Sequence, residues 1–178
     1  MSEVLHTATE GSADKTGRFV DYVIQRCLQD KGLAARLRRA DNPATEYQSW
    51  ELLASFSIDL ESEVHRLPYQ TVVASIARAK AERNGTLCLG RAIAACYSDG
   101  KDSEQAKARL RRLLACDSIA EACRILRAQL SLIDSKAGQA LDYRRLLRQL
   151  TWFAHDPQRI KAQWAQEFYG HTGEEGSV

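Results

Sequence analysis

Residues that interrupt helices are scarce in this sequence, which has three prolines and ten glycines among 178 residues. Proline lacks an amide hydrogen, and glycine loses more conformational freedom than other residues when a helix forms. Long apolar runs are also missing, and no stretch of about 18 apolar residues could cross a membrane. The sequence therefore favours long helices and argues against a membrane-spanning protein or a membrane partner.

Cysteine and histidine lack the spacing that metal sites require. The five cysteines form no CxxC pair, and the four histidines stand far apart in the chain. An odd number of unpaired cysteines is typical of a reducing compartment, where they act as small buried apolar residues. The opening MSEVLHTATE has no basic-then-apolar signal pattern. We expect a cytoplasmic protein with no metal, no cofactor and no disulfide framework.

Catalytic motifs are missing too. The sequence has no G-x-S-x-G elbow, no glycine-rich phosphate loop and no HExxH pair. The nearest approach to an acid–base cluster is Glu61-Ser62-Glu63-Val64-His65, which we interpret as the cap of a helix end. We therefore expect no catalytic residues and no enzymatic activity.

Apolar residues recur at spacings of three and four over most of the chain, which predicts an all-α protein of about eight helices. Residues 1–16 and 171–178 are polar and are expected to be disordered. An N-terminal helical part should cover 17–97, with helices at 18–30, 33–40, 45–60, 68–81 and 89–96. A C-terminal four-helix bundle with a basic surface should cover 98–170, with helices at 103–115, 118–133, 142–153 and 157–170. Their predicted caps are Asp102, Ser118, Asp142 and Asp156.

Arginine clusters recur on three of these helices. ARLRR occurs at 35–39 and again at 108–112, and YRRLLR follows at 143–148. Because a helix advances about 100° per residue, the leucines of each run share one face and most of the arginines point away from it. Arg109 flanks the apolar face. The repeated motif is thus typical of an amphipathic helix with arginine at its polar positions.

Positive charge is concentrated in one part of the chain. Residues 76–161 hold 17 Lys and Arg against 9 Asp and Glu, a net charge of +8, whereas the whole chain has a formal charge of only +2. From Arg109 to Arg159 there are nine arginines and one lysine, Lys136. Guanidinium groups form paired bonds to phosphate oxygens and stack on bases. This bias favours phosphate binding over a merely solvated face, which stays open as the alternative.

The order of motifs resembles the CasB family, the small subunit of the type I-E CRISPR Cascade complex. TLCLGRAIA is followed by RLRRLLACDSIAEACRILRAQLSLI and then by LDYRRLLRQLTWFAHDPQRIKAQWAQEFY. GRFVDYVIQRCL, a glycine turn, LARLRRA-like residues and the helix of Trp50 extend the likeness to residues 17–170. One departure is Tyr143, where tryptophan is expected in many relatives.

This resemblance implies a non-enzymatic, all-helical subunit that is present as a pair in a ribonucleoprotein of antiviral defence. Its partners would be CRISPR guide RNA, target DNA and the large and backbone subunits of Cascade. It would bind nucleic acid without sequence preference and stabilise the R-loop, formed by the guide–target duplex and the displaced strand. The nucleic-acid-binding residues that it implies are Arg38, Arg39, Arg91, Arg109, Arg111, Arg112, Arg127, Arg144, Arg145 and Arg148.

Other interpretations stay open beside this one. A helical structural adaptor, or protein-interaction module, would need no nucleic acid. A helix-turn-helix regulator would need base-reading side chains, but its recognition helix would begin SIAEAC, which has few. Arg124 and Arg127 could be structural, pairing with Glu121 at short helical spacing. The aromatic residues near the C-terminus are predicted to be core residues and not a base-stacking platform; they are Trp152, Phe153, Trp164, Phe168 and Tyr169.

Overall fold

A computed structural model describes residues 2–170 of the chain, and their side chains from residue 15 onward. Within that range it contains nine α-helices, two short 3-10 helices and no strand; the pairing of Leu87 with Leu141 is an isolated bridge. The prediction of an all-α fold is confirmed. The α-helices are α1 Ser2–Gln29, α2 Lys31–Leu37, α3 Trp50–Ser55, α4 Glu63–Ala79, α5 Leu89–Ala95, α6 Glu104–Leu114, α7 Ile119–Lys136, α8 Tyr143–Phe153 and α9 Pro157–Tyr169.

The four C-terminal helices begin at side-chain caps. Ser118, Asp142 and Asp156 each accept a hydrogen bond from the backbone N–H three residues on, as the sequence predicts. The predicted cap Asp102 is wrong by one residue. Asp102 ends the 3-10 helix Gly100–Asp102, and the Ser103 hydroxyl accepts the amide of Ala106 at 3.2 Å.

The N-terminal helices differ more from expectation. Helix α1 begins at Ser2, so the segment expected to be disordered is helical from residue 2 onward. Extension of an existing helix costs little because each added residue brings one hydrogen bond, and no proline interrupts 2–17. The break after α1 falls at Asp30, whose carboxylate caps Leu33, so Lys31 and Gly32 lie inside α2 and do not form the turn. The tail expected to be disordered, 171–178, lies outside the described residues.

The predicted helix at 45–60 is divided. A 3-10 helix, Glu46–Ser49, leads into the short α3, and the chain leaves helical geometry at Ser57, which has a φ of +58°. The predicted start of the next helix at Pro68 is also wrong, because α4 begins five residues earlier, at Glu63. Proline removes only one backbone hydrogen bond, and the first turn of α4 is held by the Ser62 carbonyl, which accepts the amides of His65 and Arg66.

Helix α4 lies at the centre of the molecule. Its residues from Pro68 to Ala77 are all buried, and it packs against α1, α2, α7 and α8. The apolar core extends without interruption from Phe19 on α1 to Phe168 on α9, across the boundary expected near residue 98. Both parts of the chain therefore contribute to one core, and this core leaves the arginine faces of the helices at the surface.

Two glycines allow close packing between distant segments. A Cβ at Gly90 would lie 2.5 Å from the Trp164 carbonyl oxygen, so α5 crosses α9 with backbones nearly touching. A Cβ at Gly85 would lie 1.8 Å from the Ala140 carbonyl oxygen. The Gly85 amide donates to the Leu141 carbonyl at 2.8 Å, which fixes the connection into α8.

Candidate nucleic-acid interface

The first arginine-rich surface is the α2–α7 groove, of about 560 Å³. The end of α2, the end of α4 and the middle of α7 converge there because α4 packs against both α2 and α7. Three predicted residues meet in it, Arg38, Arg39 and Arg127, and two further arginines, Arg78 and Arg124, lie beside them. The groove is lined by Arg38, Arg39, Asp41, Asn42, Arg78, Arg124, Arg127, Ala128 and Ser131.

Two buried carboxylates lie beneath this groove. Arg78 donates from Nη1 to Asp41 at 2.9 Å and from Nε to Asp134 at 3.2 Å. Arg127 lies 3.7 Å from Asp41, and not beside Glu121, which pairs with Arg124 instead. Burial raises the pKa of Asp134 to about 6, although the Ser75 hydroxyl and Arg78 oppose the shift. Part of the positive charge of the groove is therefore neutralised from inside.

Unsatisfied donor capacity remains in the α2–α7 groove. The Nη2 atom of Arg78 is buried without a hydrogen-bond partner among the described residues. Arg38 uses Nε to donate to the Ala77 carbonyl at 3.4 Å, yet its side chain stays exposed, as does that of Arg39. The exposed guanidinium groups of Arg38 and Arg39, at the end of α2, are available to an anion.

The second surface is the α8–α9 groove, of about 530 Å³. Residues 145, 148 and 152 lie three and four positions apart, so they share one face of α8, opposite the leucines of that helix. The groove is lined by Arg145, Arg148, Gln149, Trp152, His155, Asp156, Arg159, Ile160 and Gln163. It combines positive charge with an aromatic surface.

Trp152 corrects one sequence prediction. Phe153, Trp164 and Phe168 are core residues, as expected, but Trp152 is 41% exposed and Tyr169 is 47% exposed. Phe153 lies on the buried side of α8 with the leucines. Trp152, the residue before it, points about 100° away from Phe153 and toward the surface. The shared phase of Trp152 with Arg145 and Arg148 was the signal in the sequence that would have identified it as a surface residue.

A buried carboxylate lies under the α8–α9 groove. The Glu167 side chain on α9 is only 5% exposed and accepts hydrogen bonds from Arg145 Nε at 2.6 Å, Gln149 Nε2 at 2.8 Å and the Gly90 amide at 3.1 Å. Gln149 in turn accepts the indole N–H of Trp164. Arg145 thus neutralises a buried charge, whereas the Arg148 and Arg159 side chains have no ion pair among the described residues.

Arg91 lies on the far side of the same carboxylate. It lines a third groove of about 360 Å³ together with Arg145, Gln166 and Glu167, so the two predicted residues 91 and 145 are brought near each other. Its side chain is exposed on α5, one residue after the glycine that contacts α9.

The second ARLRR places its three arginines in different environments. Arg109 is half-buried and donates from Nε to the Tyr97 hydroxyl at 2.5 Å, which makes it a packing residue. Arg111 is 62% exposed and lies 3.7 Å from Glu104. Arg112 is exposed, and no described residue forms an ion pair with it. The outward orientation expected for Arg111 and Arg112 is present.

Arg144 links α8 to α1. Its Nη2 atom donates to both carboxylate oxygens of Asp21 on α1, at 2.5 and 2.6 Å, and this pairing raises the pKa of the guanidinium group. The ten predicted residues therefore do not form one continuous site. They divide between two neighbouring grooves around α8 and α9, the α2–α7 groove, the face of α6, and the contact between α1 and α8.

Residues considered for chemistry of other kinds lie apart from these grooves. Glu61, Glu63 and His65 are exposed at the start of α4, and His65 lies 3.8 Å from Asp59. Among the side chains that the structure describes, from residue 15 to residue 170, no three His, Cys, Asp or Glu residues come together in a way that could hold a metal ion. None of the helices in that range is both long and apolar enough to cross a membrane.

Comparison with known proteins adds a family. Residues 33–169 match the family model of the CRISPR-associated protein Cse2. The crystal structure of M. ruber CasB has a TM-score of 0.68 to this chain at 23% identity, covering 87% of this chain and 92% of that one. A Cse2-family protein from Thermus thermophilus has a TM-score of 0.71 at 22% identity, covering 88% and 98%.

A third similar chain belongs to a structure described as a CRISPR RNA-guided surveillance complex. Its TM-score is 0.68 at 20% identity, and 88% of this chain and 90% of that chain are covered. At such identities the likeness shows a shared fold. None of the curated proteins compared with the chain matches it.

Proposed function

The chain belongs to the Cse2 family of CRISPR-associated proteins, also named CasB, and we propose from this that it is a subunit of a CRISPR RNA-guided surveillance complex. The match over residues 33–169 carries the proposal, since it includes every helix from the middle of α2 to the end of α9. Within the complex the subunit binds nucleic acid without sequence preference and stabilises the R-loop.

The arginine-lined grooves support the nucleic-acid part of this proposal. The α2–α7 groove and the α8–α9 groove each contain at least three arginines, and the exposed guanidinium groups of Arg39, Arg112 and Arg148 have no ion-pair partner among the described residues. Such groups bind phosphate oxygens in pairs and independently of base identity. The subunit's role is to hold strands and not to cut them.

Co-purification from the native host tests membership of the complex. A tagged chain expressed at its natural level should bring down a small CRISPR RNA and several other CRISPR-associated subunits. Mass spectrometry and RNA sequencing of the eluate measure both. Recovery of the chain alone, or with proteins unrelated to CRISPR, would contradict the proposal.

A helical adaptor without nucleic-acid contact is the second candidate, and one observation favours it. Arg109, Arg144 and Arg145 are engaged within the chain, by Tyr97, Asp21 and Glu167. Titration of the isolated chain with labelled single-stranded DNA separates the two candidates. The proposed function requires binding that weakens steeply with salt, because arginine–phosphate contacts release counterions. An adaptor would leave the strand free at low salt.

A further inference from the structure

We propose that Trp152 is a nucleobase-stacking residue, so that the α8–α9 groove binds an unpaired strand through its bases as well as its phosphates. This inference rests on the proposed nucleic-acid function and deepens it. It assigns the groove a ligand of defined chemistry: a single-stranded segment with at least one base turned toward the protein.

The indole ring of Trp152 is exposed at the surface of the groove. Its neighbours on α8 and α9, Phe153 and Trp164, stack on each other in the core with ring centroids 5.7 Å apart. Trp152 points about 100° away from Phe153 and is 41% exposed, and the ring of His155 meets it edge-on at 5.5 Å. A large indole left at the wall of an open groove is the kind of surface on which a planar base stacks.

The charges around the indole select the class of partner. Arg148 lies one turn before Trp152 on α8, and Arg159 faces it from the first turn of α9. The carboxylate of Asp156 is engaged as the cap of α9, and Glu167 is buried against Arg145. Arg148 and Arg159 form no ion pair among the described residues, although the exposed carboxylate of Asp156 shares the groove with them. The groove therefore presents two guanidinium groups beside one aromatic ring, which matches the alternation of phosphate and base along a single strand.

An acidic peptide fits the groove less well. Its carboxylates could pair with Arg148 and Arg159, but a chain of acidic residues has no planar group that could stack on the indole of Trp152. Duplex nucleic acid also fits less well because its bases are stacked on one another and turned away from the surface. The geometry favours an unpaired strand.

The test compares two ten-nucleotide DNA strands, one of thymidines and one of abasic sites with the same phosphates. Fluorescence anisotropy gives the affinity of the full chain for each strand at one salt concentration. Trp152→Ala should weaken binding of the thymidine strand roughly 5- to 100-fold, the usual effect of removing a stacked aromatic residue, and leave the abasic strand within about twofold. Trp152→Phe should retain much of the affinity because it keeps a ring.

Matched controls separate stacking from charge and from exposure alone. Tyr47→Ala removes another exposed aromatic residue, 59% exposed and outside the groove, and should change neither affinity. Arg148→Ala should weaken both strands equally. Equal loss on both strands for Trp152→Ala, no loss on either, or tighter binding of a polyglutamate peptide than of the thymidine strand would overturn the inference. Failure of the unaltered chain to bind either strand would instead overturn the proposed function.

Discussion

Asp134 illustrates how much a single residue can depend on distant parts of the chain. Ser75, 59 residues earlier, donates its hydroxyl to Oδ1 at 2.9 Å, and Arg78 donates to Oδ2. Burial raises the pKa of Asp134 to about 6 from 3.8. Its folded-state pKa is therefore above the unfolded one. Its stabilising contribution is fully present below pH 3.8 and is lost as the pH rises through about 6.

Asp134→Asn should remove this dependence. The free energy of unfolding of the unaltered chain, relative to the variant, should increase by about 2 kcal/mol between about pH 7.5 and about pH 4.5. Urea unfolding followed by circular dichroism at both pH values measures it. A difference between the two proteins that does not change with pH would show that Asp134 titrates normally.

Arg145 and Arg148 form a matched pair on one helix. Arg145→Ala should cost about 1–3 kcal/mol because it leaves the buried carboxylate of Glu167 without its cationic partner. Arg148→Ala should stay within about 0.5 kcal/mol, since no described residue pairs with it. Thermal denaturation of the two variants distinguishes them. Equal melting temperatures would mean that Glu167 does not need Arg145.

Amphipathic phase in the sequence was enough to predict which arginines point outward, and Arg111, Arg112 and Arg148 do so. It could not predict their partners. Asp21 and Arg144 are 123 residues apart, and no local pattern connects them. The same limit explains why Arg78 was not selected: its role depends on Asp41 and Asp134, which only the packed fold brings to it.

At the scale of helices, prediction succeeded where a local rule decides the boundary. Ser118, Asp142 and Asp156 cap their helices through bonds to amides three residues on, and these are visible in sequence. Prediction failed at the start of α4. Pro68 is the helix start that the sequence predicts, yet the helix begins at Glu63, because the Ser62 carbonyl accepts the amides of His65 and Arg66 and the proline removes only one backbone hydrogen bond.

The close contact between α5 and α9 depends on Gly90. Gly90→Ala would place a methyl group 2.5 Å from the backbone of Trp164 and Phe168, so α5 must move away from α9. The expected loss is about 1–3 kcal/mol, as for other overpacked sites. Urea unfolding measures it.

Gly32→Ala is the control, because Gly32 lies exposed inside α2 and its nearest neighbour is the flexible carboxylate of Asp30, 3.3 Å away. It should keep or slightly raise stability, since alanine favours a helix over glycine. If Gly90→Ala is as stable as this control, the close crossing is not required.

For the whole molecule, the sequence predicted the fold class, the family and the bias toward arginine, and it could not predict that the basic residues divide among separate grooves. That division depends on how α2, α7, α8 and α9 pack around α4. The basic surface expected for the C-terminal bundle was inferred from the faces of individual helices. The packed helices instead distribute the arginines among separate grooves.

Arg111→Ala with Arg112→Ala tests the second ARLRR at this scale. Stability should stay within about 0.5 kcal/mol, whereas Leu110→Ala, in the core, should cost about 2–5 kcal/mol. If about four phosphates are bound, the log–log slope of affinity for a single strand against salt should be near −3, and the double variant should flatten it by up to about 1.4. R-loop formation by the assembled complex should weaken, while guide RNA loading stays unchanged.

A double variant that melts at a lower temperature than the unaltered chain, or binds the single strand with unchanged affinity, would contradict this role of Arg111 and Arg112.

The contacts of Gly90 with Glu167 and of Asp21 with Arg144 also constrain how the protein can be made. A ribosome adds about 5–20 residues per second, so several seconds pass between the synthesis of α5, which also packs against α6 and α7, and the synthesis of α9. Until α9 has emerged from the exit tunnel, the side of α5 that contacts α9 remains uncovered. Nascent chains stalled before residue 157 should therefore be held by chaperones and degraded by proteases, and a folded subunit is expected only once α9 has left the exit tunnel.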